Sequence, residues 1–398
     1  MKSPVLCVSY NGLMEPLGQS QFLAYQEIVA ENRKVVLMTF EKREDWNNSI
    51  EKETIQKRVH KTNIVWKALR YHKRLSVLAT AYDVLCGIIV GSLLLRRHKA
   101  RTVYARSFIP AVIGLVLKRI WGTPLVFDTR GFWVDERVDG GIWPEHGVLF
   151  KLGKRIERLI LSNADYVVAQ TKAAINEMKT FSYLRDKAPL FVHINNCADL
   201  DLFRADNRAR TGRPFTLGYV GSVGVWYRFD DALRSFLVLK DRIPDARMHI
   251  VNRGGHDYIK QRLAEFGIDE KSIILESANH AGVARAMREM DAGVFFIKQA
   301  YSKIASAPTK LGEFLGCGVP CLGNTQVGDM ASILEGDRVG IALSRFDDAD
   351  IEAGVDRLVA LAREPDIALR CRKSAERHFS LLDGANAYER IYSELDCR

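Results

Sequence analysis

The sequence predicts an α/β protein made of two doubly wound, Rossmann-like layers. Three observations carry this. Short apolar runs alternate with helix-length stretches through the first half; the alternation stops in a polar, basic stretch ending at Pro214; and a second series of the same kind starts at Phe215. A chain of 398 residues also exceeds what one core usually organises, which gives two domains of roughly 180 to 200 residues.

Element by element, the first half predicts strands at 5–9, 35–40, 102–105, 125–128 and 166–169, with helices at 19–31, 75–95, 109–121 and 147–161 between them. Strands that each return through a helix form a parallel sheet with right-handed crossovers. The second half predicts strands at 215–220, 248–251, 273–275, 293–297 and 321–323. The expected domains are 1–205 and 206–377, with a last helix, 378–398, crossing back to the first; within it Tyr388, Ile391, Tyr392 and Leu395 share one face. Two such layers leave a cleft between the carboxyl ends of their strands, where ligands of these folds bind.

Composition excludes several classes. The chain is 47% hydrophobic and 27% charged, without repeats or low-complexity tracts, so it is a folded globular protein. Its seven cysteines, at positions 7, 86, 197, 317, 321, 371 and 397, are odd in number and scattered, which gives no disulfide framework and fits a reducing cytoplasm. Cys317 and Cys321 lack partners at zinc spacing and read as small buried residues, so no metal is expected. The opening run Val5 to Val8 is too short for a signal peptide and reads as the first strand.

The net charge of +10 is concentrated: ten Lys or Arg against the single acid Asp83 lie between Lys61 and Arg106. Within that stretch Leu75 to Leu95 is nearly continuous in apolar residues and is bracketed by His72-Lys73-Arg74 and Arg96-Arg97-His98-Lys99. Asp83, Gly87 and Gly91 interrupt it, which favours a packed helix with basic ends on an anionic membrane surface over a spanning segment, with a plain solvated basic surface as the remaining alternative. The basic residues lack interleaved aromatics or any nucleic-acid module, so nucleic acid is not an expected partner.

The sharpest motif is Ser306-Ala307-Pro308-Thr309-Lys310-Leu311-Gly312-Glu313, followed by Cys317-Gly318-Val319-Pro320. Ser306 and Pro308 suit the cap and first turn of a helix whose free N–H groups and dipole attract a diphosphate, and Lys310 adds a point charge there. An ordinary amphipathic helix start is the bland alternative. Gly221, Ser222 and Gly224 follow the first strand of the second series, and Arg253 and Gly254 follow the next; glycine lets N–H groups approach phosphate closely, although a plain strand-to-helix turn uses the same residues. In the first half Gly12, Gly18 and Gln19 follow the first strand, and Asp128-Thr129-Arg130-Gly131 ends the fourth; a buried Asp–Arg pair that only holds its loop competes with a site there. Asp135 and Glu136 suit acceptor hydroxyls or a helix cap.

Over nearly the whole chain this set resembles retaining glycosyltransferase family 4, of the GT-B fold. The resemblance implies a transferase that moves a sugar from a nucleoside diphosphate sugar, with no cofactor or metal, to a hydroxyl on a saccharide or lipid-linked acceptor. It implies that Glu313 accepts from both ribose hydroxyls, that Ser306, Thr309, Lys310, Gly221, Ser222, Gly224, Arg228, Arg253 and Gly254 face the donor, and that residues 276–280 read the base. Gly12, Gly18, Gln19, Asp135 and Glu136 fall on the acceptor side, and Asp128, Arg130, Arg228 and Lys310 near the reacting centre. Three positions depart from the family: Ala305 replaces a second Glu, and Ser222 and Tyr227 replace the diphosphate-clamping Arg and Lys, a charge that Arg228 or Lys310 would then supply. These departures keep open a weakly active sugar-nucleotide-binding relative, and the shared fold keeps open an epimerase. Base, sugar, acceptor, linkage and subunit number are not fixed by these motifs.

Overall fold

The computed structural model describes residues 2–72, 76–205 and 212–397. Lys73, Arg74 and Leu75, residues 206–211 of the expected linker, and Arg398 lie outside them.

By packing, the chain divides into a first unit, residues 2–195 with 381–397, and a second, residues 196–380. The expected divisions at 205/206 and 377/378 differ from these for a packing reason. Phe203 is fully buried in the core of the second unit, and Arg372 donates to the carbonyls of Leu200 and Phe203 at 2.7 and 3.1 Å.

The first unit holds seven parallel strands: β1 (Val5–Ser9), β2 (Val35–Glu41), β3 (Ile64–Arg70), β4 (Thr102–Arg106), β5 (Leu125–Asp128), β6 (Tyr166–Ala169) and β7 (Leu190–His193). Their order is β3-β2-β1-β4-β5-β6-β7. The central strands are buried along their whole length and mainly apolar, with polar residues gathered toward their carboxyl ends, as a sheet covered on both faces requires. β3 and β7 were not predicted as strands: both are largely half-buried, and Lys67 interrupts the apolar run of β3. The predicted helix 19–31 is instead a π turn over Gln19–Leu23 running into the helix Ala24–Val29.

The long apolar helix is Ser76–His98. It is long and apolar enough to cross a membrane by length and composition, with 22% of its apolar window buried. Its inward face explains the interruptions seen in sequence. Asp83 is buried and accepts from the Tyr10 hydroxyl at 2.8 Å and from the His72 N–H at 3.1 Å, with His72 Nδ1 at 2.6 Å. Gly87 and Gly91 let the helix approach Ile113 and Leu117 more closely than a Cβ allows.

The second unit has six parallel strands: β8 (Thr216–Val220), β9 (Arg247–Val251), β10 (Ile273–Glu276), β11 (Ala292–Val294), β12 (Cys321–Asn324) and β13 (Gly340–Leu343), ordered β10-β9-β8-β11-β12-β13. Both orders reverse direction beside the first strand of the sheet, at β1/β4 and at β8/β11. Those are the places where doubly wound sheets bind ligands. All seven cysteines are free.

Candidate functional site

In the second unit, the chain leaves β8 through Gly221, whose φ of +123° is one that residues with a side chain rarely adopt. Lys310, from the helix Thr309–Gly316, reaches beneath this turn. A Cβ on Gly221 would stand 2.5 Å from its Nζ. That Nζ is sealed from solvent and has no hydrogen-bond partner; the rings of Tyr227, Phe295 and Tyr219 surround it at 4.2, 5.5 and 5.9 Å. A buried ammonium held only by aromatic faces is costly until an anion arrives. Ser222 and Gly224 form the exposed tip, where Gly224 N–H donates to Ser222 Oγ at 3.2 Å and the Tyr219 hydroxyl donates to the Ser222 carbonyl at 2.7 Å.

Asn252, just after β9, ties three strand-end loops together. Its Nδ2 donates to the Gly221 carbonyl at 2.8 Å, its Oδ1 accepts from the N–H groups of Gly254 and Gly255 at 3.0 and 2.5 Å, and its carbonyl accepts from Ser277 Oγ at 3.0 Å. Sequence reading passed over Asn252 in favour of Arg253 and the glycines. The available signal was an Asn ahead of a Gly-Gly turn, the usual place for a side chain that replaces backbone partners. Arg253 and Gly254 are exposed on this loop, and Arg253 has no partner among the described residues.

The helix bearing Lys310 starts at Thr309 with Pro308 at its cap, and no side chain satisfies its first N–H groups. The expectation that Ser306 caps it is corrected: Ser306 lies two residues upstream, in the turn after Tyr301–Ala305. One turn along, Glu313 keeps its side chain 14% exposed, with His280 Nε2 3.6 Å from Oε1. His280 begins the helix His280–Arg288 and packs edgewise on Phe203. Arg228 is more committed than expected: Nε donates to Asp231 at 2.6 Å, and the guanidinium lies 3.8 Å from the centre of the Phe346 ring. Lys303, which the motif reading did not single out, stands 3.6 Å over the Trp226 ring.

In the first unit, Asp128 ends β5 fully enclosed. It accepts from the hydroxyls of Tyr104 and Tyr388 at 2.5 and 2.9 Å, with Arg130 Nη1 at 3.7 Å. So placed, it does not face solvent, and its Oδ1 is sealed without a hydrogen-bond partner. Arg130 and Gly131 turn the chain with φ of +52° and +124°. Burial lowers the tendency of Arg130 to hold its proton, yet Asp128 and the tyrosines outweigh it and the group stays firmly cationic.

Asp135 is drawn into the fold by Lys154 at 3.0 Å, which also holds Glu157 at 2.5 Å; burial raises both carboxyls above their ordinary range. Glu136 sits half-buried in the same helical turn. Gln19 spends its amide on Glu51 at 2.7 Å. Gly12 and Gly18 are glycines for internal reasons: a Cβ on Gly12 would collide with the Glu41 carboxylate, and one on Gly18 with the Gly12 carbonyl. Glu41, raised by burial, accepts from the N–H groups of Leu13 and Met14 and from Thr39. A hollow of about 1090 Å³, lined by Arg43, Arg70, Tyr71, Leu78 and Tyr82, lies beside the start of the Ser76–His98 helix.

No group of three or more His, Cys, Asp or Glu arranged to hold a metal occurs among the described residues.

Residues 26–192 match the glycosyl transferase 4-like domain. No curated protein sequence matches the chain. Among solved structures, the fold is shared with a sucrose-phosphate synthase from Thermosynechococcus elongatus at 13% identity, with 99% of each chain covered and a TM-score of 0.71. It is shared with Anabaena Alr3699/HepE in complex with UDP at 16% identity, covering 99% of this chain and 100% of that one, with a TM-score of 0.68. The lipopolysaccharide outer core galactosyltransferase WaaB in its apo form aligns at 13% identity over 98% and 99% of the two chains, with a TM-score of 0.65.

Proposed function

We propose, from the premise that this chain has the GT-B fold and that its residues 26–192 match the glycosyl transferase 4-like domain, that it moves a sugar from a nucleoside diphosphate sugar to a hydroxyl acceptor. One observation carries the donor half: the sealed, unpartnered ammonium of Lys310 beneath the Gly221 turn, one helical turn from Glu313. The diphosphate lies against Lys310 and the open N–H groups of the Thr309–Gly316 helix, with Gly221, Ser222, Gly224, Arg253 and Gly254 around it. Glu313 accepts from the ribose hydroxyls, helped by His280. Related solved structures support this donor class, since Alr3699/HepE is described in complex with UDP, with UDP and glucose, and with UDP-glucose.

In the reaction the bond from the anomeric carbon to the diphosphate oxygen breaks and a bond to the acceptor oxygen forms on the same face. The acceptor proton passes to the departing phosphate. Charge on that leaving group is met by Lys310 and the helix N-terminus, so no metal or cofactor is needed. Arg228 is a weaker candidate because Asp231 and Phe346 already occupy it.

The acceptor is a saccharide or lipid-linked precursor presented at the cytoplasmic face of a membrane. Support comes from the outward face of the Ser76–His98 helix: Leu78, Tyr82, Leu85, Ile89 and Leu93 follow at steps of four, three, four and four, and each is more than half exposed. Exposed Arg96, Arg97, Lys99, Arg101 and Arg119 flank the stripe. An apolar stripe with a basic border suits a helix lying in the interface of an anionic bilayer.

A panel of sugar nucleotides tested by melting temperature and by transfer or hydrolysis decides the donor half. At least one donor raises the melting temperature of the wild type and is turned over, and Glu313→Ala loses both responses. Equal behaviour of wild type and variant overturns the assignment, and epimerisation without an acceptor replaces it.

A further inference from the structure

Arg106 is the last residue of β4, on the line where the strand order of the first unit reverses. Its ladder neighbours are Ser9 of β1 and Asp128 of β5. The side chain is 7% exposed, and its Nε is sealed with no hydrogen-bond partner. No described carboxylate forms an ion pair with it; Asp128, on the adjacent strand, takes the hydroxyls of Tyr104 and Tyr388 instead. The Phe22 ring lies 5.9 Å from the guanidinium carbon. Burial first, and then the neighbouring charge of Arg130, push Arg106 down to about 10.

An enclosed guanidinium with no anion of its own, beside a second one, weakens the fold unless something negative completes it. The backbone at these strand ends is also held in unfavourable conformations. Ser107 has φ +78° and ψ 176°, and Arg130 has φ +52°. Strain of this kind collects where a ligand is held. Ser107 caps the helix Phe108–Trp121 without a side-chain bond, so the first N–H groups of a fourteen-residue helix open at the same edge.

We propose that Arg106, with Arg130 and the open N-terminus of the Phe108–Trp121 helix, forms an anion subsite in the first unit that takes a phosphoryl group of the acceptor. Two guanidinium forks and backbone N–H groups match a tetrahedral anion with several oxygens and up to two charges better than a single carboxylate. Assigning the group to the acceptor rests on the transferase reading; the anion site itself does not.

Calorimetric titration of the full chain with inorganic phosphate tests it. The wild type binds phosphate; Arg106→Met weakens binding about tenfold or more; Arg106→Lys, which keeps the charge but loses the fork, falls between; and the binding event that Arg106→Met weakens persists in Lys310→Met, whose own loss is confined to the donor site of the other unit. Because Arg106→Met removes an unpartnered buried charge, its melting temperature without phosphate is equal to or above that of the wild type. Saturating UDP-glucose does not compete with phosphate, and a short polyprenyl phosphate does, whereas the corresponding alcohol does not.

Absence of phosphate binding, wild-type affinity in Arg106→Met, or loss only in Lys310→Met overturns the subsite. A lowered melting temperature in Arg106→Met assigns Arg106 to structure instead. Competition by UDP-glucose moves the site to the donor diphosphate. Sugar-nucleotide binding and its loss in Glu313→Ala are read separately, so failure here leaves the donor assignment standing.

Discussion

The Lys310 ammonium occupies the space that a side chain on Gly221 would need: a Cβ there would come within 2.5 Å of Nζ, while φ at Gly221 is +123°. Gly221→Ala therefore meets both backbone strain and a displaced cation, and donor affinity falls with little recovery from any rotamer change. Lys310→Met separates binding from folding. It removes a sealed ammonium that has no hydrogen-bond partner, so the melting temperature of the unliganded protein stays level or rises. Donor affinity falls about tenfold to hundredfold, the cost of losing one charged hydrogen bond of about 1.5–3 kcal/mol. Titration of both variants with the preferred sugar nucleotide checks the pair.

Asn252 bonds the Gly221 carbonyl with one end of its amide and the Gly254 and Gly255 N–H groups with the other. Asn252→Ala leaves these backbone groups near the surface without a fixed partner, which costs about 1–3 kcal/mol. Its functional effect is a raised KM for donor with a smaller change in kcat, because the loops lose their mutual position while Lys310 remains. Urea unfolding and steady-state kinetics measure the two effects independently. Asn252→Asp keeps the acceptor but loses the donor to Gly221, and falls between wild type and alanine.

What was legible in the sequence follows from how each feature is encoded. β1, β5 and β6 were readable to the residue because central strands of a parallel sheet are apolar on both faces, and Ser9, Asp128 and Ala169 each precede a polar turn. β3 and β7 were missed since a partly exposed strand carries a weaker apolar signal, with Lys67 breaking the first, and β13 was missed although buried because it is four residues long and opens on Gly340. Lys310 and Glu313 stood out because a local motif places them on one helix. Arg106 did not, since its significance comes from Asp128 at the end of a neighbouring strand and Arg130 in the turn after it, and no local pattern records which carboxylate those groups satisfy. The same holds for Asp135, whose acid suggested a ligand until Lys154, nineteen residues on, was seen to hold it.

The outward stripe of the Ser76–His98 helix is separable from its inward face, which makes the membrane reading testable without unfolding the protein. Leu85 and Ile89 are each more than half exposed, while Asp83, Gly87 and Gly91 face the sheet. Leu85→Glu with Ile89→Glu puts two acids into the stripe. Co-sedimentation with phosphatidylglycerol vesicles is lost in this variant, and turnover of a soluble acceptor analogue is kept. Wild-type binding weakens as salt rises and is lower on phosphatidylcholine, because the exposed arginines act through screened attraction. Equal binding of wild type to both lipids removes the proposal.

Arg33 and Glu389 form a two-pronged ion pair, Nε to Oε2 at 2.7 Å and Nη2 to Oε1 at 2.8 Å, which fixes the helix Leu381–Asp396 within the first unit. Asp396 and Ser393 add bonds to the same guanidinium, and Lys2 adds one to the carboxylate. Arg33 is 1% exposed at its side chain, so Arg33→Met leaves Glu389 with only Lys2 and Ser393 and costs up to about 3–5 kcal/mol, while the double replacement Arg33→Met with Glu389→Met recovers part of the loss. The acid response has a defined sign. Burial alone raises the Glu389 carboxyl, but the hydrogen bonds from Arg33 and Lys2 outweigh it and hold the group below its ordinary 4.5. A carboxyl lowered in the folded state stabilises above the unfolded value and loses that contribution as pH falls through the folded one. Glu41, Asp135 and Glu157 are raised by burial and work in the opposite direction, each relieved as acid protonates it. Glu389→Gln is therefore less stable than wild type at pH 7, and the gap between the two narrows as pH falls from about 4.5 toward the lower folded value, because the unfolded chain takes up the proton first. Denaturant unfolding at pH 7 and at pH 4 reads both quantities, and a gap that widens in acid removes Glu389 as the group that governs this limb.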